Sequence, residues 1–575
     1  EQYATAQFNL GVLLKQQQRF EEAEQAYKNV SRSDSAEQYA KAQVNLGALL
    51  HDLKRFNEAE QCYKNVSRED SVEQYAKAQN NLGLLLNQQQ RFEEAEQAYK
   101  NVSRSDSAEQ YVKAQNNFGN LLAALKRFDE AEKAYKNVSS ADSVEQYARA
   151  QFNLGVLLKK LKRYQEAEQA YKNVNREDSG KAYAFAQWNL YWSFGKNKDY
   201  LINVEKEHDL EIYAKARFVL GELEENLDAK HEYWQQIPQE TEQYKKESYQ
   251  INVVKSISDL ENSTYQNELF QVFQKVGEVL EALFINNKYE ESIAHYTTLK
   301  VSKLLLTNQN AQDKGIFEFQ SRLRLNTINL MNDPEEGLLI NKLLCLDSRV
   351  NTQDSAFIAC FTLHHDSLNQ FRLYGKEDKE EASGLSLVLD KKFFASAHNA
   401  ARIYEKDTVI TQQSDQDKLE QNNLAAMPLY RCIYFDPTSG LIKVAQREEW
   451  SFKREFKLEG HHHWYAENKI ADDNWKEYFH GKNPQGKKIT QGIVDIEASV
   501  KKSLKELSQL IQKIDLGKIY PKEKELLAEL LLPLRYLMKH MAFKEEQECR
   551  IVYVTKMENP LVHYKDSRFY IEYEP

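Results

Sequence analysis

Apolar side chains in the first part of the chain fall on two separate helical stripes within every 36 residues. In the first block, Tyr3, Ala6, Leu10, Leu13 and Leu14 lie on one side of a helix. The polar stretch around Arg19 breaks that stripe, and Phe20, Ala23, Ala26, Tyr27 and Val30 make a second one. The pattern predicts two antiparallel helices per block. The phrase EQYxxAQxNxGxLL opens the block at Glu1, Glu37, Glu73, Glu109 and Glu145, and RF/Y-x-EAE-x-A/C-YKNV closes it. A fixed period of this length predicts a solenoid, in which each unit buries its apolar face only by stacking on its neighbours. Asp34-Ser35-Ala36-Glu37 has the spacing of a capping box, an acceptor followed three residues later by Glu. Gly11, Gly47, Gly83, Gly119 and Gly155 sit inside the first helix of their units. Glycine costs about 1 kcal/mol there against alanine, so its recurrence predicts a close approach.

The period then decays. Five regular units cover residues 1–180, and two degenerate ones follow over 181–245, starting at Lys181 and Glu211. Residues 246–290 read as a helical cap or linker, with a strongly amphipathic stretch at 269–284. Beyond it, short β-rich runs appear at Ser355–Leu363, Leu385–Leu389, Leu429–Phe435, Gly440–Ala445, Glu548–Thr555 and Arg568–Tyr573. Helical segments at 497–515 and 522–541 lie between them without regular alternation. Residues 291–575 therefore read as an α+β domain after an α-solenoid of stacked helix pairs.

Composition narrows the function classes. At 575 residues the chain exceeds one core, and its net charge of −10 argues against a general nucleic-acid or anionic-membrane binder. No apolar run is long enough for a membrane helix. Cys62, Cys345, Cys360, Cys432 and Cys549 are far apart, which fits a reducing cytoplasm better than a disulfide framework or structural zinc. His461, His462 and His463 have no further ligands at suitable spacing, so a polar loop is expected there and no metal site. P-loop, nucleophile-elbow and zincin motifs are missing.

Leu10-Gly11, Ala23 and Tyr27, with Leu46-Gly47, Ala59 and Tyr63 in the next unit, resemble the tetratricopeptide repeat over residues 1–245. Gln7 stands where that family usually has Trp, and Ser35 where it usually has Pro. The face opposite the packing stripe collects unit positions 5, 9, 12 and 16. Position 9 is Asn9, Asn45, Asn81, Asn117, Asn153 and Asn189, and position 5 is Lys41, Lys77, Lys113 and Arg149. An amide row can pair with the backbone of an extended peptide, and a cationic row can hold carboxylates. Arrays of the resembled family that clamp acidic peptide tails use a similar Lys-x-x-x-Asn pair, which implies a protein or acidic peptide as partner. A duplicated, merely solvated face is the alternative.

In the second half, HYTTL (295–299), RLNTINLMNDPEEG (324–337), FTLHHDSLNQFRLYG (361–375) and FKEEQECRIVY (543–553) resemble the bacterial domain-of-unknown-function family 2971 over about residues 290–575. Members of that family tend to lie near defence genes, which implies a role in bacterial anti-phage defence. An early His/Thr strand and a late Glu strand are also similar to the layout of ADP-ribosyltransferase domains. That similarity implies NAD as cofactor, His295, Tyr296, Thr297, Arg372, Tyr374 and Arg550 as groups that hold it, and Glu548 or Glu546 as the carboxylate beside an oxocarbenium-like transition state. A buried structural ion pair between Glu548 and Arg550 is the other explanation. The combined expectation is a two-part effector: the array binds a peptide or protein and the C-terminal domain delivers the output. A non-catalytic interaction scaffold is the alternative, and the oligomeric state stays open.

Overall fold

A computed structural model describes the chain apart from residues 261–262, 287, 298–322, 328–336, 347–354, 365–384, 396–426, 459–463, 556, 558, 566–567 and 574–575. The described residues divide into two compact units, Glu1–Glu224 with Gln236–Gln243, and Glu225–Gln235 with Tyr244–Pro575.

The first unit is a row of helix pairs. They are α1 (Gln2–Gln16) with α2 (Phe20–Lys28), α3 (Ala36–Asp52) with α4 (Phe56–Lys64), α5 (Val72–Gln88) with α6 (Phe92–Lys100), α7 (Ala108–Ala124) with α8 (Phe128–Lys136), and α9 (Val144–Lys160) with α10 (Tyr164–Lys172). The degenerate repeats continue as α11 (Gly180–Ser193), α12 (Asp199–Ile202) and α13 (Leu210–Glu222). Each long helix from α3 to α11 starts on a serine. Ser35, Ser71, Ser107, Ser143 and Ser179 accept a hydrogen bond from the backbone N–H three residues on. Such a cap contributes about 1 kcal/mol. The N-cap is thus Ser35 and not Asp34, as the capping-box spacing had it. The aspartate of that turn instead ties adjacent repeats, since Asp70, Asp106 and Asp142 each pair with an arginine of the preceding turn.

The recurrent glycine has a specific neighbour. A Cβ at Gly47 would lie 2.5 Å from the Tyr63 ring, and one at Gly83 2.5 Å from the Tyr99 ring. The close approach is therefore glycine to tyrosine within one repeat, and it lets the second helix lie flat on the first. Between repeats, alanine and leucine fill the seam: Ala42, Leu46 and Leu49 are buried, and so are their counterparts Ala78, Leu82 and Leu85. The same stripe on α1 is open. Tyr3, Ala6, Leu10 and Leu13 are exposed, with Leu13 at 50%.

In the second unit the helices Glu242–Ser258 and Gln266–Leu283 precede an antiparallel sheet. Its strands are β1 (Ser292–Thr297), β2 (Leu323–Thr327), β3 (Ser355–Thr362), β4 (Leu385–Asp390), β5 (Tyr430–Arg431), β9 (Glu548–Thr555), β10 (Val562–Lys565) and β11 (Arg568–Tyr573). The order runs β10-β11-β2-β3-β1-β4, with β9 paired to β3 and β5. A smaller sheet joins β6 (Ile433–Phe435) to β7 (Ile442–Val444) and, in parallel, to β8 (Met538–His540). All six β-rich runs of the sequence coincide with strands. The 497–515 segment lies in the helix Ile493–Lys513, while 522–541 turns from the helix Pro521–Leu537 into β8. Ile293, Leu325, Phe357, Phe361, Ile551 and Ile571 form the core on one side of the sheet.

Candidate functional site

The helix face expected to bind a partner is on the molecule, with its polar groups already engaged. Lys41 pairs with Glu37 at 2.6 Å, Lys113 with Glu109 at 2.5 Å and Arg149 with Glu145 at 2.7 Å, each within its own helix. Lys77 is half-buried on the same row. The cationic row is therefore a row of Glu–Lys steps and not a bare positive stripe. The asparagines also bridge repeats. Asn45 and Asn81 lie beside the hydroxyls of Tyr27 and Tyr63 in the preceding unit. Asn117 Nδ2 donates to Asn80 Oδ1 at 3.0 Å, and Asn189 donates to its own helix at Phe185 O, 2.9 Å away. Asn153 is half-buried. Part of the recurrence of Asn is thus explained by stacking.

The second candidate site is a cluster of charges under the sheet. Strand β9 starts with Glu548, Cys549 and Arg550, and β8 supplies Lys539. Lys539 makes ion pairs with both Glu546 and Glu548, and Arg550 Nε reaches Glu548 Oε1 at 2.6 Å. All four side chains are buried. Further bonds close the network. The Glu548 N–H donates to Tyr434 Oη at 2.7 Å and Arg550 Nη1 donates to Tyr536 O at 2.6 Å, with the Cys360 thiol beside the Glu548 carboxylate. Between the two glutamates, Gln547 holds a left-handed backbone with φ of 44°. A non-glycine residue there costs about 1 kcal/mol or more, a strain that persists only when the surroundings fix it. Gln547 Oε1 accepts from the Gln446 N–H at 2.7 Å, and Leu363 N–H donates to Gln547 O at 3.2 Å. The turn aims both carboxylates at one ammonium.

The two carboxyls differ in acidity. Burial lifts Glu546 above the usual range, although Lys539 opposes the rise. For Glu548 burial works in the same direction, but Arg550 and Lys539 outweigh it and hold the carboxyl well below that range. Two neighbouring carboxyls driven apart in this way can divide proton transfer and charge stabilisation between them.

Strand register separates the remaining expected residues. Ala294 lies opposite Thr362, and Thr362 opposite Glu548, so these three share one face of the sheet. Tyr296 and Arg550 lie on that face too. His295 and Thr297 point to the other face, where the His295 ring packs 5.6 Å from that of Phe361. His295 Nδ1 sits 3.0 Å from the Cys360 carbonyl oxygen. Burial lowers its pKa below the ordinary imidazole value against that bond. His295 and Thr297 are thus not brought together with Glu548. Arg372 and Tyr374 lie outside the described residues, as do the 461–463 histidines and Asn332, Asp333 and Pro334 of the 324–337 motif. Among the described residues no group of three His, Cys, Asp or Glu side chains could hold a metal ion. No described helix is long and apolar enough to cross a membrane.

Sequence reasoning missed Lys539 and Tyr434. A lone lysine in the apolar run Leu537-Met538-Lys539 was the available signal, because an isolated charge in a buried strand needs partners. The same signal marks Arg431 within Leu429–Phe435. Arg431 pairs with buried Glu290, which also accepts from Tyr478 Oη at 2.7 Å.

The helix pairs with their glycine–tyrosine contact define a protein-interaction repeat array. The tetratricopeptide repeat family model matches residues 8–64, 50–108 and 116–182, and the N-terminal segment is built of these repeats. Among solved structures, one described as the functional characterisation of pilF from Pseudomonas aeruginosa is 18% identical, covers 47% of this chain and 97% of its own, and has a TM-score of 0.27. A tetratricopeptide repeat protein from Parabacteroides merdae is 17% identical, covers 41% of this chain and 93% of its own, with a TM-score of 0.29. No curated protein matches the chain.

Proposed function

We propose that the array holds an extended segment of a protein partner on the faces of α3, α5, α7, α9 and α11, and that the C-terminal unit delivers the output. The observation that supports this is the division of each long helix. Positions 6, 10 and 13 are consumed by stacking, whereas positions 5, 9 and 12 stay partly open in successive repeats. Capture of a partner by the full chain tests it. Charge reversal at Lys77 and Lys113 together with Asn117→Ala should release the partner, while Glu130→Ala on α8 should not. Equal capture by all three proteins removes the face from the reading.

A second reading assigns catalysis to the C-terminal unit, as in a defence effector acting in the cytoplasm, with kinship to the family 2971 domains. The opposed acidities of Glu546 and Glu548 around one lysine favour it. NAD is the first substrate to test, with Tyr296 and Arg550 on the carboxylate face. Nicotinamide release by the wild-type chain, lost in Glu546→Gln with unchanged circular dichroism, is the expected result. Absence of release in the presence of the captured partner leaves the scaffold alone.

A further inference from the structure

The ligand chemistry of the array's open face can be narrowed, on the premise that this face binds a segment at all. We infer that the segment is proline-rich, lies in the polyproline-II conformation, and carries apolar side chains spaced by multiples of three residues, the terminal one seated on Trp192.

Three observations lead there. The first is electrostatic. Lys41, Lys113 and Arg149 already carry carboxylates from their own helices. An acidic ligand would have to displace Glu37, Glu109 and Glu145, exchanging one surface ion pair for another with little net gain.

The second is the apolar surface left on the same face. Position 12 is Leu84 in α5, Val156 in α9 and Trp192 in α11, with exposures of 44%, 44% and 47%. Asn120 of α7, also exposed, is the polar member between them. Trp192 is held in place, since its ring meets Tyr191 edge-on at 5.1 Å and Trp188 at 5.7 Å, with the Lys196 ammonium 5.6 Å from its centroid. A fixed, half-exposed indole among other aromatics is the surface that proline rings and aliphatic side chains cover favourably.

The third is spacing. Packed helices lie about 8–10 Å apart. A polyproline-II segment rises about 3.1 Å per residue with three residues per turn, so every third side chain returns to one side after about 9 Å. A β-strand returns after two residues and about 7 Å, which does not match. A ligand read at position 12 would therefore show an apolar residue for Leu84, a polar one three residues on for Asn120, then apolar residues at the next two steps for Val156 and Trp192. Polyproline II leaves its carbonyls unbonded, so the amides of Asn120 and Asn153 can donate to them. The nine prolines in these 575 residues include no two within three of each other, so the segment does not come from these residues.

Fluorescence anisotropy with the full chain tests this. The probe is labelled Leu-Pro-Pro-Gln-Pro-Pro-Leu-Pro-Pro-Leu, in this order and reversed. The comparison peptides are the same sequence with Asp for every Leu, and an all-Glu decapeptide. One order of the leucine peptide should bind. Trp192→Ala, confirmed as folded by circular dichroism, should weaken it about tenfold or more, and Val156→Asp should act likewise. Glu130→Ala on α8, off this face, should leave its affinity within about twofold. Preferential binding of the all-Glu peptide, abolished by Lys77→Glu, overturns the apolar assignment and keeps the face. Binding of the leucine peptide that Trp192→Ala and Val156→Asp leave intact overturns the site. No binding of either leucine peptide overturns the inference, and the capture experiment then decides separately whether the face binds a partner.

Discussion

Gly83 shows how much one residue fixes in this molecule. Its missing side chain is the space occupied by the Tyr99 ring, whose Cε1 would lie 2.5 Å from a Cβ. Gly83→Leu must push the tyrosine, and with it α6, away from α5. The expected cost is about 1–3 kcal/mol, read as a lower denaturation midpoint at unchanged slope; an unaltered midpoint would mean that the ring can move aside. Glu548 has a comparable role in the other unit. Glu548→Gln retains the shape but leaves Arg550 and Lys539 with one carboxylate fewer. Removing one partner of a buried ion pair costs about 3–5 kcal/mol. The substitution thus cannot separate catalysis from folding, and Glu546→Gln is the better probe. The glycine was legible in the sequence because it breaks helix propensity at a fixed period. Its partner was legible only as an apolar residue, since nothing in a stripe says which ring meets which backbone.

Between elements, the repeats are joined by arginines at the start of each short helix. Arg55 binds Glu58 of its own helix and Glu24 of the preceding one at 2.6 Å each, and Arg91, Arg127 and Arg163 repeat the arrangement. Hydrogen bonds from these arginines hold Glu24, Glu60, Glu96 and Glu132 below the ordinary carboxylate range, against the effect of burial. Their folded pKa values are depressed, so the stabilisation is complete above the unfolded value of about 4.3 and is lost as pH falls through the folded values. The melting temperature of the array should be flat near neutrality and fall below about pH 4, and Glu96→Gln should make that fall shallower. An acid limb identical in both proteins would assign the sensitivity to other groups. This ladder escaped the sequence reading because Arg55 and Glu24 are 31 positions apart in two different units. Periodicity shows that both recur, but only the stacking geometry makes them neighbours. The cluster around Lys539 was half legible for a similar reason. Glu546, Glu548 and Arg550 are adjacent in sequence, whereas Tyr434 and Cys360 arrive from other strands. The register that parts His295 from Glu548 is likewise invisible until the strands are paired.

Across the whole array, one internal control comes free of charge. The nonapeptide FEEAEQAYK forms both α2 and α6, with the same residues and the same helical span. The two copies differ only in surroundings. In a chain that starts at Glu1, the pair α5–α6 is packed on both sides, whereas α1 has Tyr3, Ala6, Leu10 and Leu13 exposed. In a one-dimensional stack each interface contributes a nearest-neighbour coupling, so a unit covered on one side is held by one coupling and an interior unit by two. Amide hydrogen exchange should therefore be faster in α2 than in α6, and the logarithm of the ratio, multiplied by RT, is the coupling itself. Equal rates would mean that the stack opens as a single cooperative block. Because the compared segments are identical, intrinsic propensity and intrinsic exchange rate cancel, and the open stripe on α1 becomes a gauge of how far order propagates from one repeat to the next.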